Sequence, residues 1–332
     1  MDRRLFLAQL AAAGAAGAAA PAGAAAQSAA RIDVHHHPMP PRYRDALGAK
    51  ITGPLTTWTP ERSLADMDAA GVRTAILSIT NPGLYFGDVA AARTVARACN
   101  EYAAELIRSH PGRFGMFAAL PMPDPDATLA EIAYALDTLK LDGVGMFTSY
   151  GNRWLGDPAF EPVFAELNRR NAIVYTHPAG NACCMSLVPF VPPSAIEYGT
   201  DTTRAIASYL FSGAAARYPD VRVIFSHAGG TMPFLIERFD FMMRDPALAA
   251  KVPGGLRPAL ARFHYDTAQS SSPEAMGALV KLVPVSQIVF GSDYPFRTEP
   301  EHVANLRTCG FSDADLRAIE HDNAARLLSR GA

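Results

Sequence analysis

Short apolar runs recur along the chain and alternate with longer stretches of helical periodicity. The runs fall at 31–37, 74–79, 114–120, 143–148, 173–177, 221–227, 263–267 and 288–293. Their length and their Val, Ile and Phe content are those of buried strands. Helical stretches such as 89–109, 125–140, 158–170 and 201–218 separate them, and a last one lies near 312–329. Eight β/α alternations predict an α/β fold of one kind, a closed (β/α)8 TIM-type barrel with the last helix packed outside it. A doubly wound open sheet is the rival, but it needs a glycine-rich phosphate turn after its first strand. Here the first run ends instead in His35-His36-His37.

Two connections are longer than the ~2–6 residues usual in such units. They are 38–60, after the first strand, and 178–200, after the fifth. Each follows a strand, so each rises on the face where barrel enzymes carry their active sites. The second is rich in Pro, Cys and Phe and reads as an apolar lid or pocket wall.

Composition adds limits more than it adds chemistry. With 332 residues, 49% hydrophobic and 19% charged, the chain is long enough for one large barrel domain, placed at 30–332. A net charge of −2 and no basic stripe exclude an electrostatic case for nucleic acid. Residues 1–29 stand apart: Arg3-Arg4-Leu5-Phe6-Leu7 precedes a mild Ala/Gly-rich run with small residues at Ala24-Ala25-Ala26. That layout resembles a twin-arginine signal, so the expected destination is the periplasm or the medium, with no membrane attachment after its removal. The four cysteines lack CxxC spacing, which argues against a structural zinc site or a disulfide framework. Cys99 and Cys309 are expected as apolar helix residues, and adjacent Cys183 and Cys184 as free thiols in a loop.

The candidate chemistry gathers at strand ends. Side chains alternate along a strand, so His35 and His37 share one face while His36 takes the other. His177, His227 and Asp293 end the fifth, sixth and eighth runs. Five such groups would meet at one mouth of the barrel, whereas a lone strand-end histidine is ordinarily just a hydrogen-bonded polar residue. Three imidazoles and a carboxylate suit Zn²⁺ or another borderline divalent ion such as Mn²⁺. His36 reads as a supporting or packing residue and His110 as structural at the opposite face. His264, His302 and His321 have no partners recognisable from the sequence.

These residues lie in motifs that resemble a known family. Ile32-Asp33-Val34-His35-His36-His37 resembles the DxHxH opening of amidohydrolase-related proteins. Tyr175-Thr176-His177-Pro178, Ser226-His227-Ala228-Gly229-Gly230 and Phe290-Gly291-Ser292-Asp293-Tyr294-Pro295 resemble its later blocks. The likeness spans residues 31 to about 328 and is nearest to the decarboxylase branch, which includes aminocarboxymuconate-semialdehyde and 6-methylsalicylate decarboxylases. The second is the nearer, on Trp58-Thr59-Pro60-Glu61, Arg113-Phe114-Gly115, Phe117-Ala118-Ala119-Leu120-Pro121 and Glu131-Ile132-Ala133-Tyr134-Ala135-Leu136. The resemblance implies His35, His37, His177 and Asp293 as ligands of a metal and His227 as the acid/base beside it. The chain departs from the resorcylate and dihydroxybenzoate decarboxylases, which carry glutamate where His35 stands. It has no lysine at the end of the fourth strand, where Met146, Phe147 and Thr148 lie, which argues for one metal ion and not two.

The implied reaction is non-oxidative loss of CO2 from a phenolic aromatic acid, a small-molecule substrate needing no organic cofactor. Either Asp293 or His227 carries the proton. Phe86, Phe147, Trp154, Phe190 and Phe296 are candidate apolar walls, and Arg153 or Arg297 is a candidate contact for the substrate carboxylate. Hydrolysis of an ester, lactone or amide at the same site stays open as the alternative, as does binding without turnover. For assembly, a homodimer stays open.

Overall fold

The computed structural model describes residues 30–329 except 182, 185 and 186, so the expected export signal at 1–29 lies outside the described residues. Eight parallel strands pair in chain order: β1 Arg31–His36, β2 Val72–Leu77, β3 Phe114–Ala118, β4 Gly143–Phe147, β5 Ile173–His177, β6 Arg222–Phe225, β7 His264–Asp266 and β8 Ile288–Val289. The backbone leaving β8 closes the ring onto β1. Val34 donates to the Phe290 carbonyl at 3.0 Å, Asp293 to His35 at 2.9 Å, and His37 to Tyr294 at 2.8 Å. The predicted barrel is the observed one.

Alternation along the strands divides the apolar side chains between two cores. Val34, Ile76, Phe117, Tyr175, Ile224 and Val289 fill the barrel interior. The other strand faces pack against the surrounding helices, through residues such as Ala75, Leu77, Val144, Val174, Val223 and Ile288. The last helical run, 313–328, lies outside the ring and caps its N-terminal end, adding Ala324 and Leu327 to the interior core. That end of the interior is filled by side chains, and the chemistry-bearing residues gather at the opposite, C-terminal mouth.

Several boundaries differ from expectation, and three of them bear on the site. The helix after β5 runs from Pro193 to Phe211, starting eight residues early, because Pro193 sits comfortably in a first turn where its missing N–H costs nothing. The last third of that long connection is therefore helix standing over the mouth. Strands β6 and β8 are shorter than their apolar runs, which leaves His227 and Asp293 on turns beyond the strand ends.

His302 finds the partners that the sequence did not reveal. It is fully buried on the helix Glu299–Leu306, bonded to Thr267 Oγ1 at 2.9 Å and Ser271 Oγ at 3.3 Å. Burial pushes its pKa down to about 4 from an ordinary 6.5, with Asp33 and Asp266 pulling upward and Arg297 and His35 downward. A depressed histidine pKa means that the unfolded chain binds the extra proton, so this contribution is complete above pH 6.5 and is lost as pH falls toward 4. His264, also pushed down to about 4 by burial, acts with the same sign, so a variant is needed to isolate His302. His302→Gln is expected to flatten the pH slope of the unfolding free energy between about pH 4 and 6.5 by roughly one proton. An unchanged slope in denaturant titrations would show that His302 titrates alike in the folded and unfolded chain.

Candidate metal centre

The three-histidine run splits as strand geometry requires. His35 and His37 point into the mouth. His36 turns outward, where Nε2 meets Ser63 Oγ at 2.9 Å, Nδ1 meets Glu299 Oε1 at 3.2 Å, and the ring stacks on Tyr294 at 4.5 Å. Ring closure then sets Asp293 beside His35, and β5 delivers His177 from the opposite wall.

His227 and Asp293 sit in left-handed backbone, with φ of 54° and 69°. Non-glycine residues rarely adopt this region, and it is concentrated at functional turns. The two glycines of His227-Ala228-Gly229-Gly230 make the turn sterically possible. A Cβ on Gly230 would collide with the Gly199 carbonyl, and one on Gly229 would meet the Tyr265 ring.

Ligand atoms of His35, His37, His177 and Asp293 all lie within 4.8 Å of one another, and all four residues are buried. Asp293 Oδ1 is 3.2 Å from His35 Nε2 and 3.0 Å from His37 Nε2, and the two Nε2 atoms are 3.0 Å apart. The outward nitrogens are already engaged. His37 Nδ1 donates to the Ser78 carbonyl and His177 Nδ1 to the Pro178 carbonyl, both at 2.9 Å, while His35 Nδ1 meets Asp266 Oδ2 at 2.8 Å. A carbonyl only accepts, so the Nδ1 protons are fixed and the Nε2 lone pairs face inward, the tautomer that binds metal.

Those lone pairs face a carboxylate oxygen, Asp293 Oδ1, that is buried without a hydrogen-bond partner. Convergent lone pairs and negative charge repel unless a cation sits among them, so the donor set fits a divalent ion. The ionisation pattern agrees. Burial, reinforced by the neighbouring imidazoles, holds His177 well below its ordinary pKa, and burial also lowers His37. Burial opposes charge on Asp293, but His35 and the other imidazoles outweigh it and hold the carboxyl well below its usual range. His35 moves the other way: burial opposes its charge, yet Asp266 and Asp293 raise it to about 10.

The other carboxylate oxygen serves a second group. Asp293 Oδ2 accepts a hydrogen bond from the Gln269 amide and lies 3.5 Å from His227 Nε2. The His227 main-chain N–H donates to Asp266 Oδ1 at 2.8 Å. Asp266 therefore holds His35 with one oxygen and the backbone of His227 with the other. Neither Asp266 nor Gln269 was singled out from the sequence; the available signal was an aspartate at the C-terminal end of a barrel strand. Supports of this kind typically carry 10–100-fold in metal affinity, so Asp266→Asn is expected to weaken metal binding by about that factor. Competition with a chelator of known affinity measures it, and an unchanged affinity would reduce Asp266 to a packing role.

Comparison with known proteins agrees with this geometry. The amidohydrolase family profile matches residues 32–330. This chain belongs to the amidohydrolase family. Its curated relatives include decarboxylase yanB of Aspergillus niger, 38% identical over 324 residues covering 90% of this chain and 88% of that protein. The 6-methylsalicylic acid decarboxylase of Penicillium expansum is 38% identical over 297 residues, 86% of this chain and 90% of the relative. Among solved structures, an amidohydrolase II superposes with a TM-score of 0.84 at 27% identity, over 90% of this chain and all of the other.

In this amidohydrolase a cavity of about 380 Å³ opens at the mouth beside the donor cluster, lined by Asn81, Leu84, Phe147, Tyr150 and Asn181 among others. Phe147 connects the two, its ring 6.2 Å from His177, and the half-exposed Phe296 stands 5.9 Å from His37. Other expected wall residues lie elsewhere. Trp154 spends its Nε1 proton on Asp201, Phe86 lies exposed under Lys50, and Phe190 is fully exposed. Arg297 pairs with Glu301 at 3.6 Å and Arg153 is exposed on a short hairpin after β4, so the structure brings neither arginine to the cluster. Cys183 and Cys184 are joined in a vicinal disulfide and are not the free thiols expected. A turn organised by Asn181, which accepts from the N–H of both residues, brings the two sulfurs together.

Proposed function

We propose that this amidohydrolase is a metal-dependent carboxy-lyase that removes CO2 from a phenolic aromatic acid. The observation carrying this reading is the 38% identity to a 6-methylsalicylic acid decarboxylase across 86% of the chain. His35, His37, His177 and Asp293 would hold one divalent ion, with zinc favoured by three imidazoles and a carboxylate. Bound there, the ion supplies Lewis acidity and a positive charge that orients the carboxylate and ortho oxygen of the substrate.

The chain's own groups do the rest. Loss of CO2 requires a proton on the ring carbon bearing the carboxylate; the C–C bond then breaks and its electron pair restores the aromatic ring. The proton source is the His227–Asp293 pair, whose facing atoms are 3.5 Å apart. Gln269 anchors the same Asp293 oxygen, so the carboxylate cannot swing away as it changes partners. Phe147 and the cavity walls around it give the ring an apolar bed and keep water from the reacting carbon.

The direct test is metal analysis of the purified full chain, then a screen of hydroxybenzoates against aryl esters and lactones. About one ion per chain, with CO2 and a phenol as products, is the expected result. An acid plus an alcohol or amine, formed with water incorporated, would mark a hydrolase and end the decarboxylase reading.

Export is proposed on the N-terminal sequence alone. Replacing Arg3 and Arg4 with lysine is expected to keep the enzyme in the cytoplasm with its activity intact, because the fold begins at Arg31. Periplasmic accumulation of that double variant would remove the twin-arginine assignment.

A further inference from the structure

We propose that Tyr198 is a specificity-determining residue whose hydroxyl donates a hydrogen bond to an oxygen of the bound aromatic acid, an inference that rests on the decarboxylase reading above. Tyr198 stands on the helix Pro193–Phe211, which carries it back over the mouth to within 6.2 Å of the His177 ring, edge to face. Its oxygen is met at 2.9 Å by the Nδ2 amide of Asn81, a residue that lines the mouth cavity from the connection after β2.

A phenol has one proton to give and lone pairs to receive. Asn81 donates, so it occupies a lone pair and leaves the Tyr198 proton uncommitted. Among the described residues no hydrogen bond takes up that proton, and the oxygen lies 2.9 Å from the amide of Asn81, which itself lines the cavity. A buried or half-buried donor left over in this way is costly unless a ligand completes it. The substrate's carboxylate and ortho hydroxyl supply the missing acceptor, since both are drawn to the cluster to which His177 belongs. A site built around such a bond discriminates strongly against analogues lacking the oxygen.

The competing role for Tyr198 is a clamp joining two connections through Asn81. Asn81→Asp separates the two roles. A carboxylate there can only accept, so it captures the Tyr198 proton in a stronger, charge-assisted bond that keeps the connections joined. As a clamp the variant would differ from wild type only by the direct repulsion its charge exerts on an anionic substrate, a part that persists when Tyr198 is replaced by Phe. As a substrate donor it would lose its contact.

The experiment measures kcat and KM for hydroxybenzoates on the metal-loaded full chain, with metal content and melting temperature of each variant. Tyr198→Phe is expected to retain the metal and raise KM by about 10–100-fold, the worth of a hydrogen bond to a charged group. The effect on kcat should be far smaller, because the contact serves bound substrate and transition state alike. Asn81→Asp should reproduce the rise in KM without unfolding, so the test stands even if Tyr198→Phe folds poorly. KM within twofold of wild type in Asn81→Asp overturns the proposal, and so does a further rise when Asn81→Asp is added to Tyr198→Phe, which would show the new charge repelling the substrate directly. Wild-type protein that turns over no hydroxybenzoate would instead overturn the decarboxylase reading itself, and this inference with it.

Discussion

His227→Asn is expected to lower kcat by about 10²–10⁴-fold while metal content stays at the wild-type level. His227 reaches the oxygen of Asp293 that faces away from the three imidazoles, 3.5 Å from its Nε2, and it is absent from the converging donor set. Its backbone is anchored independently, through Asp266 at 2.8 Å, so a side-chain change leaves the turn intact. Asparagine keeps a comparable size and hydrogen-bonding capacity but has no titratable nitrogen. What is lost is therefore proton transfer alone. Metal content and kcat measured on the same preparation decide the point. Loss of the ion would make His227 a ligand, and unchanged turnover with the ion present would leave it structural.

Asp293→Asn is expected to act on both quantities, losing most of the metal and lowering turnover by more than about 10³-fold. The carboxylate uses its two oxygens differently: Oδ1 faces the His35 and His37 lone pairs with no hydrogen bond, and Oδ2 faces Gln269 and His227. An amide removes the negative charge that offsets the ion, and whichever end it turns inward it loses one of these acceptors. Adding excess ion separates the two roles. Occupancy restored without activity is the expected outcome, because the proton carrier is still missing. Activity recovering in step with occupancy would confine Asp293 to metal binding and leave the proton to His227.

Much of this protein was determined locally and could be read without its structure. The eight apolar runs specify parallel strands because each is short, mostly apolar and followed by a helical period, and a ring is how such units bury both faces. The His35/His37 alternation is a property of any strand. The placing of His177 at the end of β5 needed only the count of strands. For these residues, chain direction alone decides which end of the barrel they occupy.

What the tertiary structure decided depends on contacts between residues distant in sequence. Asp266 matters because ring closure sets it under His35, and its local sequence, Phe263 to Gln269, looks like any short strand and turn. The left-handed turn at His227 is accommodated by the close packing of Gly229 and Gly230 against Tyr265 and Gly199, which periodicity does not register. Arg153 and Arg297 follow the correct strands, yet one lies exposed on a hairpin and the other is spent on Glu301, because long side chains choose among several nearby partners. Tyr198 looked like part of a loop until Pro193 began the helix early and aimed that face at the mouth. The sequence by itself determined the barrel and the end at which its chemistry lies. Only the fold selected which side chains meet there, since that depends on distances across the ring that no single segment encodes.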